Sequence, residues 1–224
     1  MTLETVSARW QDAFERLVGG MREYGLLVSP YITATPIRRM VQILEEHGVI
    51  SSVRLDVLTD LSVNHVLRGS TDPTSIVFLM DAVPHTQVTY LPRLHAKVYA
   101  ADESEAIITS ANLTEHGLSL NYEYGVRITD PAHVRHIRDD LLAYGRLGNA
   151  VPRPEIEQLA RTASDLMELS RRASSRSTPT CATTPSTGLS EVYTLARSGS
   201  TTSGMPSSTS SNVALSALMV QGGT

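Results

Sequence analysis

One cysteine and one lysine stand in a chain of 224 residues, beside two phenylalanines and one tryptophan. The lone Cys181 excludes an intrachain disulfide and any zinc site built from several cysteines. It fits a reducing compartment, and a cytoplasmic protein is expected. Positive charge is not in excess: 19 Lys and Arg face 23 Asp and Glu, for a net charge of −4. That counts against a broad basic surface for nonspecific nucleic-acid binding and says little about a small cationic pocket. Long apolar runs are missing too. The longest late one, residues 213–220, is far short of the roughly 20 residues a membrane helix needs. Residues 1–6 lack a basic stretch followed by an apolar one, so neither a secretory signal nor stable membrane association is expected.

The scarcity of lysine is the most informative of these absences. The chain has 18 arginines and a single lysine, Lys97. A GC-rich genome produces such a bias, but the one exception then stands out. A site that needs a compact, rotatable ammonium does not accept a planar guanidinium freely.

What is present reads as a folded body, residues 1–172, followed by a tail. Leu3, Val6, Trp10, Phe14, Leu17 and Met21 recur at three- and four-residue steps and predict one amphipathic helix. A short buried strand at 26–28, a helix opening at Thr35-Pro36 and ending at Gly48, and an alternating strand at 53–58 come next. This helix-strand-helix-strand order predicts a parallel pair with a crossover helix. Residues 62–73 read as a surface loop with a short helix, 74–82 as a helix and 87–90 as a strand. Further strands are expected before Asp102, at 105–109 and at 124–128. Asp130-Pro131 caps a helix to about residue 144, and a last helix covers about 155–172. From there Ser and Thr dominate, a composition that cannot bury enough apolar surface to offset chain entropy. The expected organisation is a domain over 1–150, a C-terminal helix over 151–172 packed on or extending it, and a disordered tail over 173–224.

The stretch 94–112 carries the chemistry. His95 and Lys97 are two apart on an expected strand and so share a face. Asp102 follows at a turn, and the next strand runs into Ser110, Ala111 and Asn112. A hairpin would bring an imidazole, an ammonium and an amide to one sheet edge, a set able to hold a phosphoryl group.

The pattern His95-x-Lys97, four residues, Asp102, six residues, Thr109, Ser110, Ala111, Asn112 resembles the signature of the phospholipase D superfamily. Spacing agrees throughout. Thr109 stands where the family often has Gly, a residue that permits dihedrals Thr resists. Residues 121–125 resemble the segment in which the family keeps an acidic partner for its histidine, here Glu123. The order of elements from Gly25 to about Tyr144 is similar to one half of the family fold. The resemblance implies an α/β protein with a mixed central sheet flanked by helices, an α/β/α sandwich. It also implies a phosphodiesterase needing no metal or other cofactor.

In that chemistry His95 attacks phosphorus and forms a phosphohistidine, dividing the reaction into two easier steps. Lys97 and the Asn112 amide bind the non-bridging oxygens. Glu123 orients His95, and Ser110 donates to phosphate or to that carboxylate. Asp102 organises the turn, and Arg93 is the best placed of the arginines to meet a polyanionic substrate. The family site uses two motifs, one histidine attacking and the other protonating the leaving oxygen. A chain with one lysine cannot hold a second, so the resemblance implies a homodimer with both His95 residues across a two-fold axis.

Single-motif members tend to be nucleases, so nucleic acid is the expected substrate. Phospholipid hydrolysis or transphosphatidylation, and a noncatalytic phosphate-binding dimerisation module, are the alternatives. His116, His133 and His136 read as surface residues, the last two without a third metal ligand.

Overall fold

The computed structural model describes residues 3–7 and 10–176. The expected tail lies, from residue 177 onward, outside the described residues, as does Cys181. The body is one eight-stranded mixed sheet with helices on both faces, the expected class. In chain order the elements open with β1 (Leu3–Val6), α1 (Trp10–Gly20), β2 (Tyr24–Val28), α2 (Ala34–Glu46) and β3 (Arg54–Thr59). Next are α3 (Val63–Leu67), α4 (Pro73–Ala82), β4 (His85–Tyr90), β5 (Val98–Ala101), β6 (Glu105–Thr109) and a π-helical turn, His116–Leu120. Last come β7 (Gly125–Ile128), α5 (Pro131–Gly145), β8 (Asn149–Ala150) and α6 (Arg153–Arg176).

Strand order is β1-β7-β6-β5-β2-β3-β4-β8. The centre, β2, β3 and β4, is parallel, as the alternation of helix and strand predicts. The remaining pairs are antiparallel. Val28, Leu58, Val98, Ile108 and Val126 lie in register across five strands. They mark one end of the sheet, where β2, β3 and β6 finish and β5 and β7 begin.

Two cores sandwich the sheet. On one face Trp10, Phe14 and Leu17 of α1, Ile37, Met40 and Leu44 of α2, Ile76 and Leu79 of α4 and Ile156 of α6 are buried with Leu27, Val57 and Tyr99. On the other, Val134 and Leu141 of α5 cover Leu26, Val28, Leu58 and Ala100. Each fully buried large side chain contributes about 1.5–3 kcal/mol of transfer free energy. The stripe residues at 37, 40, 41 and 44 are all buried, as their spacing predicts.

Four elements differ from expectation, one of them β8, which pairs with β4 where no strand is expected. Leu3–Val6 is not the first turn of a helix but an edge strand antiparallel to β7, and α1 starts only at Trp10. Leu3 and Val6 satisfy a three-residue step by coincidence, and only the β7 edge reveals their pairing. Helix α2 begins at Ala34, ahead of Pro36. Helix α6 begins at Arg153 and extends to Arg176, so the switch to Ser-rich sequence does not end it. The cap at Asp130 is as expected: its carboxylate accepts the His133 N–H at 3.1 Å and opens α5.

Candidate functional site

The expected site residues converge, with exceptions, at that marked end of the sheet. The segment 91–97 leaves β4 and crosses back to β5. Leu91 N donates to Thr59 O at 3.0 Å, and Lys97 O accepts from Thr109 N at 3.0 Å. His95 and Lys97 therefore sit just ahead of β5, not within the strand as the alternation suggests. Their side chains still meet. The Lys97 ammonium lies 3.3 Å from both ring nitrogens of His95 and donates to the His95 carbonyl at 2.8 Å. His95 is exposed, whereas Lys97 is only 8% exposed. A buried ammonium is expensive unless it is partnered. Burial lowers the Lys97 pKa below the ordinary lysine value, and the Glu123 charge pulls it back up.

The other wall is the segment after β6. Ser110 N donates to Tyr124 O at 3.0 Å, and Ser110 Oγ donates to Glu123 Oε2 while accepting Tyr124 N at 3.1 Å. Asn121 Nδ2 donates to Glu123 Oε1 at 3.1 Å. Glu123 thus spends its hydrogen bonds on Ser110 and Asn121. It does not hold the imidazole as the resemblance implies, and among the described residues no carboxylate bonds to His95. Its charge also acts on Lys97.

Two more expected residues stand elsewhere. Asp102 is at the far end of β5, in left-handed backbone with φ 52°. Its carboxylate accepts the N–H groups of Arg22, Glu23 and Tyr24 at 3.0, 2.9 and 2.8 Å. It ties the β5–β6 turn to the start of β2 and touches no reacting group. Arg93 is not on a strand face. It occupies a turn with φ 64° and an exposed side chain. Thr109, in place of Gly, has no positive φ, and its hydroxyl accepts the Ala111 N–H at 2.9 Å. The dihedral freedom of Gly is therefore not called on there, and the hydroxyl adds a bond that Gly lacks.

Several supporting residues escape sequence reasoning. The buried Tyr99 hydroxyl donates to Ala111 O at 2.8 Å, and its ring meets Phe14 edge-on with centroids 5.4 Å apart. Ser29 Oγ accepts Leu113 N at 3.0 Å. These two bonds flank Asn112 and fix the segment that carries it. Asn112 Oδ1 is buried without a hydrogen-bond partner among the described residues.

Two glycines allow the close packing. A Cβ on Gly117 would lie 2.4 Å from Asn112 O, so only glycine lets the π-helical turn rest against the Asn112 backbone. A Cβ on Gly125 would lie 2.3 Å from Ile108 O. Gly125→Ala is therefore expected to separate β6 from β7 and cost about 1–3 kcal/mol or more, read as a lower denaturant midpoint. A midpoint equal to wild type would show that the strands yield without cost. Tyr99 and Ser29 have no polar pattern around them in sequence, and neither Gly117 nor Gly125 carries a local sign of the backbone that packs against it.

Among the described residues no group of three or more His, Cys, Asp or Glu has an arrangement that could hold a metal ion. His133 sits against Asp130 and His136 against Asp140, both exposed. Among the same residues no helix is long and apolar enough to cross a membrane.

A mixed sheet sandwiched by helices, with a His-x-Lys pair at the end where its parallel strands finish, is the phospholipase D class of α/β fold. The chain belongs to this superfamily: residues 22–143 match the family described as cardiolipin synthase, PLD-like domain. Among solved structures, NucT from Helicobacter pylori superposes with a TM-score of 0.53 at 14% identity, covering 67% of this chain and 99% of that one. Nuc from Salmonella typhimurium, a phospholipase D family member, gives 0.52 at 15%, covering 67% and 97%. Phosphatidylserine synthase from Haemophilus influenzae Rd KW20 gives 0.58 at 13%, covering 78% of this chain and 45% of that one. Comparison with curated protein sequences gives no significant match.

Proposed function

We propose that this chain is a metal-independent phosphodiesterase that cleaves nucleic acid through a phosphohistidine, at a site completed by a second copy of itself. The observation that carries this reading is the exposed His95 ring held against the buried ammonium of Lys97, the single lysine of the chain. A ring nitrogen of His95 attacks phosphorus. The P–N bond forms as the bond to the leaving oxygen breaks, and that oxygen takes its proton from His95 of the second copy. Water then attacks phosphorus, giving its proton to the second copy's imidazole, and the P–N bond breaks. Lys97 and Asn112 face the charge that builds on the non-bridging oxygens. Glu123, through Ser110 and by its charge, holds the site in shape and keeps Lys97 protonated.

Size favours nucleic acid over lipid. The chain spans nearly all of Nuc and NucT but under half of the phosphatidylserine synthase. The test is incubation with plasmid, single-stranded DNA, RNA and phospholipid vesicles in EDTA. Cleavage of nucleic acid under chelation is the expected result. Cleavage of lipid alone, or a strict need for added Mg²⁺, would overturn the reading.

The Lys97–Glu123 interaction also sets a pH limit. Activity needs the charged ammonium, so it falls as pH rises through the Lys97 pKa, which burial has already lowered. Glu123→Gln removes the opposing effect of its charge, lowering that pKa further. The alkaline limb of kcat/KM is expected to move to lower pH in Glu123→Gln, measured in a pH-rate series. A limb that stays put, or moves up, would detach Glu123 from Lys97.

A further inference from the structure

The loop carrying His95 has a support that the sequence motif does not contain. Asp60 follows directly on β3 and is 4% exposed. Its Oδ1 accepts the Ser62 N–H at 2.9 Å, a local turn bond. Its Oδ2 accepts the Arg93 N–H at 3.2 Å, from a residue 33 positions away. Arg93 has φ 64°, one of two non-glycine residues among those described with positive φ. Such a conformation costs a residue with a Cβ of order 1–3 kcal/mol and persists where the surroundings hold it. The chain runs on from that turn through Leu94 into His95 and Lys97. His65 Nδ1 stands 3.4 Å from the same Oδ2, too poorly aligned to count as its hydrogen bond, and its ring packs on Tyr31 with centroids 4.9 Å apart. Three neighbours therefore enclose one buried carboxylate, and one of them is the backbone that aims the histidine.

We propose that Asp60 is the positioning residue for His95: by holding the Arg93 amide in left-handed backbone, it sets the direction in which the crossover segment presents the imidazole beside Lys97. The inference rests on the reading of His95 as the reacting group. It differs from a simple turn-forming role in a way that can be measured, because glycine adopts positive φ without the cost that Arg93 bears. In Asp60→Ala, kcat for nucleic-acid cleavage is expected to fall on the order of 10- to 100-fold with KM little changed, the penalty of a misdirected nucleophile. Adding Arg93→Gly to Asp60→Ala is expected to recover a large part of that loss, whereas Arg93→Ala in the same background recovers none.

A second readout needs no substrate. Carbethoxylation of His95 by diethylpyrocarbonate, followed by peptide mass spectrometry, is expected to speed up severalfold in Asp60→Ala as the ring leaves Lys97. It is expected to return toward the wild-type rate with Arg93→Gly, while His85, His133 and His136 serve as unaffected references. If Asp60→Ala does not fold, Asp60→Asn keeps the volume, gives up one acceptor, and is expected to move both readouts in the same direction. An unaltered His95 labelling rate in a folded Asp60 variant, or equal recovery by Arg93→Gly and Arg93→Ala, would overturn the proposal. Absence of nuclease activity in the wild type would sink the functional reading alone and leave the labelling result to judge Asp60.

Discussion

His95→Ala is expected to remove phosphodiester cleavage by a factor on the order of 10⁴ or more while leaving the fold and its melting temperature close to wild type. Both halves follow from the structure. The imidazole is exposed at the sheet end and forms no part of either core, so its loss opens no cavity. Catalysis, however, would lose the atom that bonds to phosphorus, and no neighbour can replace it. The basic side chain in contact with it among the described residues is Lys97, whose ammonium has no free electron pair while charged. The check is a single-turnover assay in EDTA paired with a thermal melt of the same preparation. Residual cleavage within tenfold of wild type would remove His95 from the chemistry. A large drop in melting temperature would leave the loss of activity open to a structural cause. A stronger form of the test is chemical: acid quenching of wild-type enzyme in mid-reaction is expected to trap phosphorus on the peptide containing His95, and this label is absent from His95→Ala.

The second large effect concerns the number of chains. Wild type mixed with His95→Ala, denatured together and refolded, is expected to show activity that falls as the square of the wild-type fraction. The reason is arithmetic. If each site draws a nucleophile from one copy and a proton donor from the other, a hybrid dimer lacks one of the two. Only dimers with two wild-type chains then cleave. A chain that acts alone would instead lose activity in proportion to its dilution. At a one-in-ten wild-type fraction the two readings predict about 1% and about 10% of full activity, a difference no folding artefact shared by both chains can mimic. Linear dependence would refute the shared site even if the protein proves to be a nuclease. The surface at hand offers apolar material for such a contact. Leu120, Tyr122 and Tyr124 are 64%, 106% and 60% exposed on the approach to β7, beside Glu123.

The legible parts of this protein were those where one local pattern had one structural outcome. The stripe of α2 buries as its period requires, the Asp130-Pro131 cap opens α5, and the β2–α2–β3 crossover gives a parallel pair. The His-x-Lys spacing brings two side chains together even though neither residue lies within a strand. Harder to see were elements defined by a distant partner. Leu3–Val6 exists as a strand only because β7 leaves an edge for it, and Asn149–Ala150 only because β4 does. The resemblance implies Glu123 beside His95, yet its hydrogen bonds run to Ser110 and Asn121.

Period and spacing by themselves predict the parallel centre with its crossover helix, and the resemblance carried by the spacing from His95 to Asn112 implies the class of fold, the polar residues proposed for the chemistry and, with one lysine in the chain, the proposed half-site. Those properties are written residue by residue along the chain. Tertiary structure alone decided which groups share a contact: that Asp102 ties its turn to the start of β2, that Tyr99 and Ser29 fasten the segment of Asn112, and that Asp60 grips Arg93 from the end of another strand. Each of these is a hydrogen bond between residues far apart in sequence. Such a bond leaves no periodic trace, because only the folded sheet brings its two ends within about 3 Å.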